Sequence, residues 1–588
     1  MAKFGCLPRF PVVVGLLAIA VVWGHRRYCD APLGPCLSAD SHRALSGWLS
    51  NPADNMSYSA WAEQAKRGDW LFSDLFTTDP HAQVYFNPYF QLVGHCAQWF
   101  HIESIAVMHL LAIASALLAA VLVYDVSRSL GWSTLAARTS CLLVMFSSGW
   151  TAWFAMTGAK FEGADFGYGD LFACNNFATG PYQAFAALVQ MLLVWSLIRA
   201  EQACDAKSSS RIGLLTLVAV AAAATTTVRP YGIVLPLVSY VAYVFLSVWS
   251  AVGNEPLAWR PRFQVMTALA FGALPTLAYT DWLTHLPVWH YFAAQSLANP
   301  KLALFWTIGF GSTLFLSLWG IHLIARNLRR VPPASWLALW VCMAVGGFIF
   351  FELRCTTKLL EGAFVAMSLL AGLAVQEIVQ DIRQLRPQWM RAASYFLLTA
   401  FALSGVPSYF LYLHSFQNRA DHYDPEIVEA TAALAEQPDV ALLTDAITGN
   451  RLPGLRGVRV WAGHWSLTPK YRDKARQLEE AGISAGVGTE DDPIWICLKD
   501  AVFTQAQRAA PHDVDRMKSK LLDLLTTSQC GYLLVNRRTP AYRLAKDSLL
   551  LPVVKETDRW TLFRADFLSR LQHPPVHQAN LSDNKSPR

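Results

Sequence analysis

Long uninterrupted apolar blocks, a low charge content and basic residues in every second loop predict a polytopic α-helical membrane protein. A change of composition near residue 414 adds a C-terminal extracytoplasmic α/β domain to that fold class. Of the 588 residues, 54% are hydrophobic and only 15% charged, whereas soluble domains carry about a quarter charged. Apolar blocks occupy 8–24, 104–125, 139–157, 182–198, 212–227, 231–251, 264–282, 304–325, 335–352, 361–378 and 393–413. Each approaches the ~20 residues that cross ~30 Å of hydrocarbon, so the expectation is a bundle of about 11 transmembrane helices. The blocks are continuous rather than alternating, which argues against a closed barrel.

Topology follows from the charges. Lys3 and Arg9, Arg128 and Arg138, Arg199, Lys207 and Arg211, Arg260 and Arg262, Arg326, Arg329 and Arg330, and Arg383, Arg386 and Arg391 fall in alternate loops. Such loops face the cytoplasm. The N-terminus is then inside, and the C-terminal domain lies outside an inner (plasma) membrane. Arg26 and Arg27 run against this pattern. The net charge of +6 is accounted for by those loops and requires no nucleic acid. The expected organisation is an uncleaved anchor at 1–24, a first outer loop at 25–103, a membrane domain at 104–413, the α/β domain at 414–571, and a disordered polar tail at 572–588.

The first outer loop, ADNMSYSAWAEQAKRGDWLFSDLFTTDPHAQVYFNPYFQL, is acidic and too aromatic for disorder. YSAWAEQAKRG predicts a short helix stopped by Gly68, and PYFQLVGHCAQWF a second one lying in the interface. Asp54 and Asp79 are its candidate catalytic acids, as general base or as ligands of a divalent cation (Mg²⁺ or Mn²⁺). The plainer role for Asp54 is a helix cap. In the second outer loop, Asp165, Asp170, Asn175 and Asn176 suit sugar hydroxyls or a metal, or equally a hydrated turn. Arg229, with Tyr231 just after Pro230, sits between apolar segments where a cation needs a partner, and a lipid phosphate is one. Arg354 and Lys358 share that setting in the fifth outer loop. His285, His290 and Tyr291 read as interface residues.

In the C-terminal domain, DVALLTD, GVRVWAG, PIWICL and GYLLVN predict strands, with helices at YDPEIVEATAALAEQ and 512–527 and a final hairpin in LLPVVKETDRWTLFRAD. His464 follows a strand, where it can reach a ligand, and Thr468 is placed to cap the next helix. Cys29 and Cys36 are close enough in the chain for a disulfide. Cys497 and Cys530 suit either a pair or two core strand positions. No Cys/His spacing fits structural zinc.

The pattern Asp54-x3-Tyr58, Ala62, Gly68, Leu75-Phe76-Thr77-Thr78-Asp79-Pro80, Phe86-Asn87-Pro88 and Gly94 resembles bacterial members of the GT-C glycosyltransferase superfamily. Gly180-Pro181, Arg229-Pro230-Tyr231 and Leu452-Pro453, Gly463-His464, Thr468 and Lys474 extend the resemblance over most of the chain. It implies a GT-C-like bundle and an inverting enzyme. The enzyme would take a sugar from a polyprenyl-phosphate carrier in the bilayer and pass it to a glycan, lipid or protein acceptor. Asp54 stands where such enzymes have an acid before the first-loop helix, and Asp79 in a Thr-Thr-Glu-Pro-like run. The family's adjacent acidic pair is absent, since Ala53 and Asn55 flank Asp54. Arg229 stands where the resemblance implies a residue facing carrier phosphate; beside it, the residues' own placement offers Arg354 and Lys358 as further cations at the headgroup boundary and Asp170, Asn175, Tyr231 and His464 as candidate substrate-binding residues. Two other classes fit the sequence less well: a transporter, which calls for repeats and mid-membrane polar residues, and a non-catalytic scaffold.

Overall fold

A computed structural model describes residues 9–28, 36–37, 44–48, 51–159, 163–167, 172–251, 259–290, 303–326, 332–350, 360, 362–385, 387–415, 421–434, 437, 440–464, 466–483 and 514–566. Asp170, Arg354, Lys358, Tyr291, Cys29, Cys497, the PIWICL segment and the tail lie outside them.

Each of the eleven apolar blocks becomes, or contains, a helix. The first half of the chain gives α1 (Arg9–Tyr28), α2 (Pro52–Lys66), α3 (Pro88–Phe100), α4 (Ser104–Ser129), α5 (Thr134–Phe146), α6 (Thr151–Met156), α7 (Ala164–Gly167), α8 (Ala173–Thr179), α9 (Pro181–Asp205) and α10 (Arg211–Val228). The membrane domain continues with α11 (Tyr231–Ala251), α12 (Trp259–Thr284), α13 (Ala303–Ala325), α14 (Ala334–Phe350), α15 (Ala363–Gln384), α16 (Gln388–Ala402) and α17 (Val406–Ser415). Among the described residues, eight segments are long and apolar enough to cross a membrane, and Thr134–Phe146 and Ala334–Gly347 are shorter apolar helices. The chain is a multi-pass membrane protein. The block at 139–157 is broken after Phe146, where Ser147 turns extended before α6 begins. One large apolar cluster, including Tyr240, Trp336, Trp340, Phe364 and Leu370, fills the bundle.

Arg26 and Arg27, which oppose the charge pattern, end α1 beside the first loop. Arg26 is buried there, and its guanidinium donates to the Gly47 carbonyl at 2.8 Å, beside His109. Its position is set by packing against the loop, which overrides the charge bias.

A small sheet ties the first loop to the C-terminal domain, which also builds a larger sheet of its own. The smaller is antiparallel: β1 (Cys36–Leu37), β2 (Ala44–Leu45) and β3 (His422–Tyr423), with Ala44 opposite Tyr423. The larger has the order β5-β4-β6-β8-β7, with β4 (Ala441–Leu443) parallel to β5 (Arg459–Val460) and to β6 (Tyr532–Asn536). The closing hairpin β7 (Val553–Glu556) and β8 (Trp560–Arg564) is antiparallel, as expected. The helices of this domain are α18 (Pro425–Ala430), α19 (Ala446–Arg456), α20 (Tyr471–Glu480), α21 (Val514–Thr527) and α22 (Pro540–Arg543). The sequence gives no clear sign of α19, because Gly449, Pro453 and Gly454 weaken its helical pattern. It packs beside α2 so closely that a Cβ at Gly454 would lie 2.6 Å from the Met56 carbonyl oxygen. Backbone contact of that kind excludes any larger residue.

Candidate active site

Asp54 stands in the first turn of α2, not at its cap. The cap is Asn51, in the left-handed region at φ 43°, with Pro52 in the first turn. Pro fits there because that position has no helical hydrogen bond to lose. Asn51 Nδ2 donates to Asp54 Oδ2 at 2.6 Å. The other oxygen, Oδ1, lies 3.0 Å from His464 Nε2.

The far side of the imidazole fixes its protonation. The Ser466 backbone N–H, which can only donate, is 3.3 Å from His464 Nδ1, and the Ser466 hydroxyl is 2.9 Å from the same nitrogen. Nδ1 is therefore the acceptor and Nε2–H the donor toward Asp54. The His464 side chain is 2% exposed and the Asp54 side chain 30%. A buried ring thus orients a carboxylate that reaches solvent. Gly463 makes room for this corner, since a Cβ there would meet the Gly449 carbonyl at 2.3 Å.

Asp79 is held differently. Its Oδ1 accepts from Lys474 Nζ at 3.0 Å, and the same ammonium donates to Thr77 Oγ1 and to the Trp461 carbonyl. Around this pair the first loop is stitched to the domain. Val460 N donates to the Leu75 carbonyl at 2.8 Å, Thr77 bridges to Ala462, and Arg67 donates to the Gly457 carbonyl at 2.9 Å. Thr468 does not cap α20. Its hydroxyl donates to the Phe76 carbonyl at 2.7 Å and accepts from Gly463 N, while Lys470 precedes the helix. Asp74 is wholly buried in the same seam, and burial pushes its carboxyl up to about 7.

Arg229 ends α10 with extended backbone. It borders a recess of about 440 Å³, open solvent included, with Asn176, Gln183, Gln190, Thr225 and Gly362. One turn beyond Asp54 on α2, Tyr58 packs 4.6 Å from the Tyr182 ring. The Tyr182 hydroxyl donates to the Val228 carbonyl beside Arg229 and accepts from Asn87 at 3.1 Å. This aromatic contact links the Asp54 corner to the recess. Neither Asp54 nor Asp79 is among the residues lining the recess.

Asn175 is buried and donates to the Asp165 main-chain carbonyl at 3.1 Å. The Asp165 carboxylate accepts from Gly149 N at 3.0 Å and from the Thr151 hydroxyl. These two residues build the second loop, while the neighbouring Asn176 reaches the recess. Tyr231 opens α11 just past the break and is not among the lining residues. Sequence reasoning missed Asn51, Ser466, Gln183 and Gln190. Asn51-Pro52 carried a legible signal, a polar cap followed by Pro. Ser466 carried none.

Comparison with known proteins places this geometry in a fold. No protein-family model and no curated protein matches the chain. Among solved structures, the apo oligosaccharyltransferase of Archaeoglobus fulgidus superposes with a TM-score of 0.51 at 12% identity, over 90% of this chain and 70% of that one. The same enzyme, AglB, solved with an inhibitory peptide and dolichol-phosphate, gives the same values. ArnT from Cupriavidus metallidurans, solved with undecaprenyl phosphate, aligns over 93% of this chain and 97% of its own at 14% identity, with a TM-score of 0.46. The fold is that of the GT-C glycosyltransferases.

Proposed function

We propose that this chain is a membrane glycosyltransferase that moves a sugar from a polyprenyl-phosphate carrier to an acceptor on the extracytoplasmic side. The hydrogen-bonded series Ser466–His464–Asp54 carries this reading, because it holds one partly exposed carboxylate in a fixed orientation at the loop end of the bundle. Dolichol-phosphate in AglB, a protein of the same fold, supports the choice of donor.

In the reaction, the acceptor hydroxyl gives its proton to Asp54 as its oxygen bonds to the anomeric carbon. The bond from that carbon to the carrier phosphate breaks on the opposite face, and the configuration inverts. A fixed base contributes about 10²–10⁴-fold. The departing phosphate gains negative charge, and Arg229 at the recess is the described residue suited to stabilise it. Arg354 and Lys358 are proposed as further cations for that phosphate. Asp170 and Tyr231 are proposed at the margin of the donor site.

The described residues do not fit a divalent cation at Asp54. No group of three or more His, Cys, Asp or Glu side chains stands together among the described residues to complete a metal's ligand set, and Asp79 is paired with Lys474. The deciding experiment offers polyprenyl-phosphate sugars to the purified protein in liposomes and follows sugar transfer. Asp54→Asn should lower transfer by about 10²–10⁴-fold while the protein keeps its melting temperature. Full transfer by that folded variant sinks the reading, and loss of wild-type transfer to a chelator, restored by Mn²⁺, sinks the metal-free mechanism.

A further inference from the structure

On α9, Gln183, Ala186, Ala187 and Gln190 recur at the i, i+3, i+4, i+7 spacing of one helical face, and all four line the Arg229 recess. Two amides separated by seven residues stand about 10 Å apart along the axis, with two small side chains between them. The result is a bowl.

Its floor is fixed. Gln190 Nε2 donates to the Gly232 carbonyl at 2.9 Å, at the start of α11. Gly362 approaches from α15 at φ 78°, and a Cβ there would lie 2.0 Å from Gln190 Oε1. Only glycine allows that approach in that conformation.

The rim carries Arg229, Asn176 and Gln183. The Gln183 carbonyl oxygen is tucked beside Gly180 with no donor among the described residues. A buried acceptor without a donor is costly. The terminal torsion of a glutamine is broad, so a small rotation presents that oxygen to the bowl. Interhelical bonding explains Gln190, but it leaves Gln183 unexplained.

We infer that this bowl is a subsite for a neutral, hydroxyl-rich sugar ring. Side-chain amides suit that ligand, because each offers both a donor and an acceptor, as each sugar hydroxyl does. The guanidinium at the rim takes the phosphate attached to the same ring. The inference rests on the donor assignment made above and adds the class of group the donor carries.

The test uses the full-length chain in phospholipid nanodiscs and measures the affinity of two probes, undecaprenyl phosphate and undecaprenyl-phosphate-linked hexose. Gln183→Leu keeps the bulk and removes the amide. It should weaken the hexose-bearing lipid roughly tenfold, the value of about one good hydrogen bond, and change the bare carrier less than about twofold. Ala187→Leu fills the bowl and should discriminate in the same direction, while melting temperature checks the fold of both variants. Equal weakening of both probes overturns the sugar subsite and leaves a phosphate site. Unchanged binding of both probes by folded Gln183→Leu overturns it as well. Arg229→Met separates the two readings: if it leaves the bare carrier bound as in the wild type, the donor assignment itself fails.

Discussion

Asp54 and Asp79 lie in the same loop, and each is held by the C-terminal domain, yet their partners differ in kind. Asp54 meets a neutral imidazole that donates a single proton. Asp79 meets an ammonium that also holds a hydroxyl and a main-chain carbonyl and lies 5.2 Å from the Trp461 ring centre. A neutral donor orients a carboxylate but leaves its charge for a reacting proton. A paired cation neutralises the charge and spends it on holding two pieces of chain together. On the proposed reading the first acid serves the chemistry and the second the assembly, a distinction that their spacing in the sequence does not offer.

The strongest way to break that contrast is to neutralise each acid in turn. Asp54→Asn should lower the turnover number by about 10²–10⁴-fold, with the melting temperature unchanged. Asp79→Asn should cost less than about fivefold in turnover and should lower the melting temperature instead, since the pair is partly exposed and worth about 1 kcal/mol or less. The reverse outcome, dead Asp79→Asn with normal melting, would exchange the two roles.

A middle-sized effect sharpens the role of His464. It is a positioning residue in this scheme, so His464→Ala should reduce turnover roughly tenfold and alter the pH–rate profile, because the carboxylate loses its donor. His464→Gln keeps an N–H donor and should recover part of the loss. Ser466→Ala removes only the hydroxyl from Nδ1, while the backbone N–H remains, so a smaller change of about two- to threefold is expected. If Gln recovers nothing while the fold is intact, the imidazole does more than orient its neighbour.

Much of this was legible in the chain. Eleven apolar blocks mark the helices because a bilayer demands length and continuity, and both are local properties. The strands β4, β6 and β8 were also visible as short apolar runs. The seam was not. Thr468 looks like a helix cap when only its neighbours in sequence are considered, yet its hydroxyl bonds Phe76, nearly four hundred residues earlier in the chain. His464 was a candidate, but its partner Asp54 could not be read from spacing, since pairing across such a separation depends on how α2 docks on α19. The broken block at 139–157 failed for a different reason: Ser147 and Gly149 are short enough to sit inside an apolar run without changing its average. Arg26 shows the converse, a charge whose place is decided by a carbonyl of the folded loop.

The smallest expected effect on turnover comes from a residue that probes the assembly side alone. Asp74 is buried in the seam, its Oδ1 accepts from Phe76 N at 2.8 Å, and burial raises its carboxyl from the usual 3.8 to about 7. Lys474 and Arg459 favour the charged form, Asp79 opposes it, and His81 bonds the Asp74 main-chain N–H. Folded Asp74 therefore binds its proton more tightly than the unfolded chain does. Between pH 3.8 and about 7 the unfolded state is the one that has lost the proton, so stability falls as pH rises through that window and levels off above it. Asp74→Asn keeps the acceptor for Phe76 N and cannot ionise. Hydrogen exchange over 72–79 and 458–468 should show the variant better protected than the wild type at pH 8, with the difference shrinking toward pH 5. His81, whose ring burial pushes toward the neutral form, contributes equally to both proteins and cancels in that difference. A gap that widens on acidification would mean that the carboxylate form of Asp74, not the acid, is the one the seam prefers.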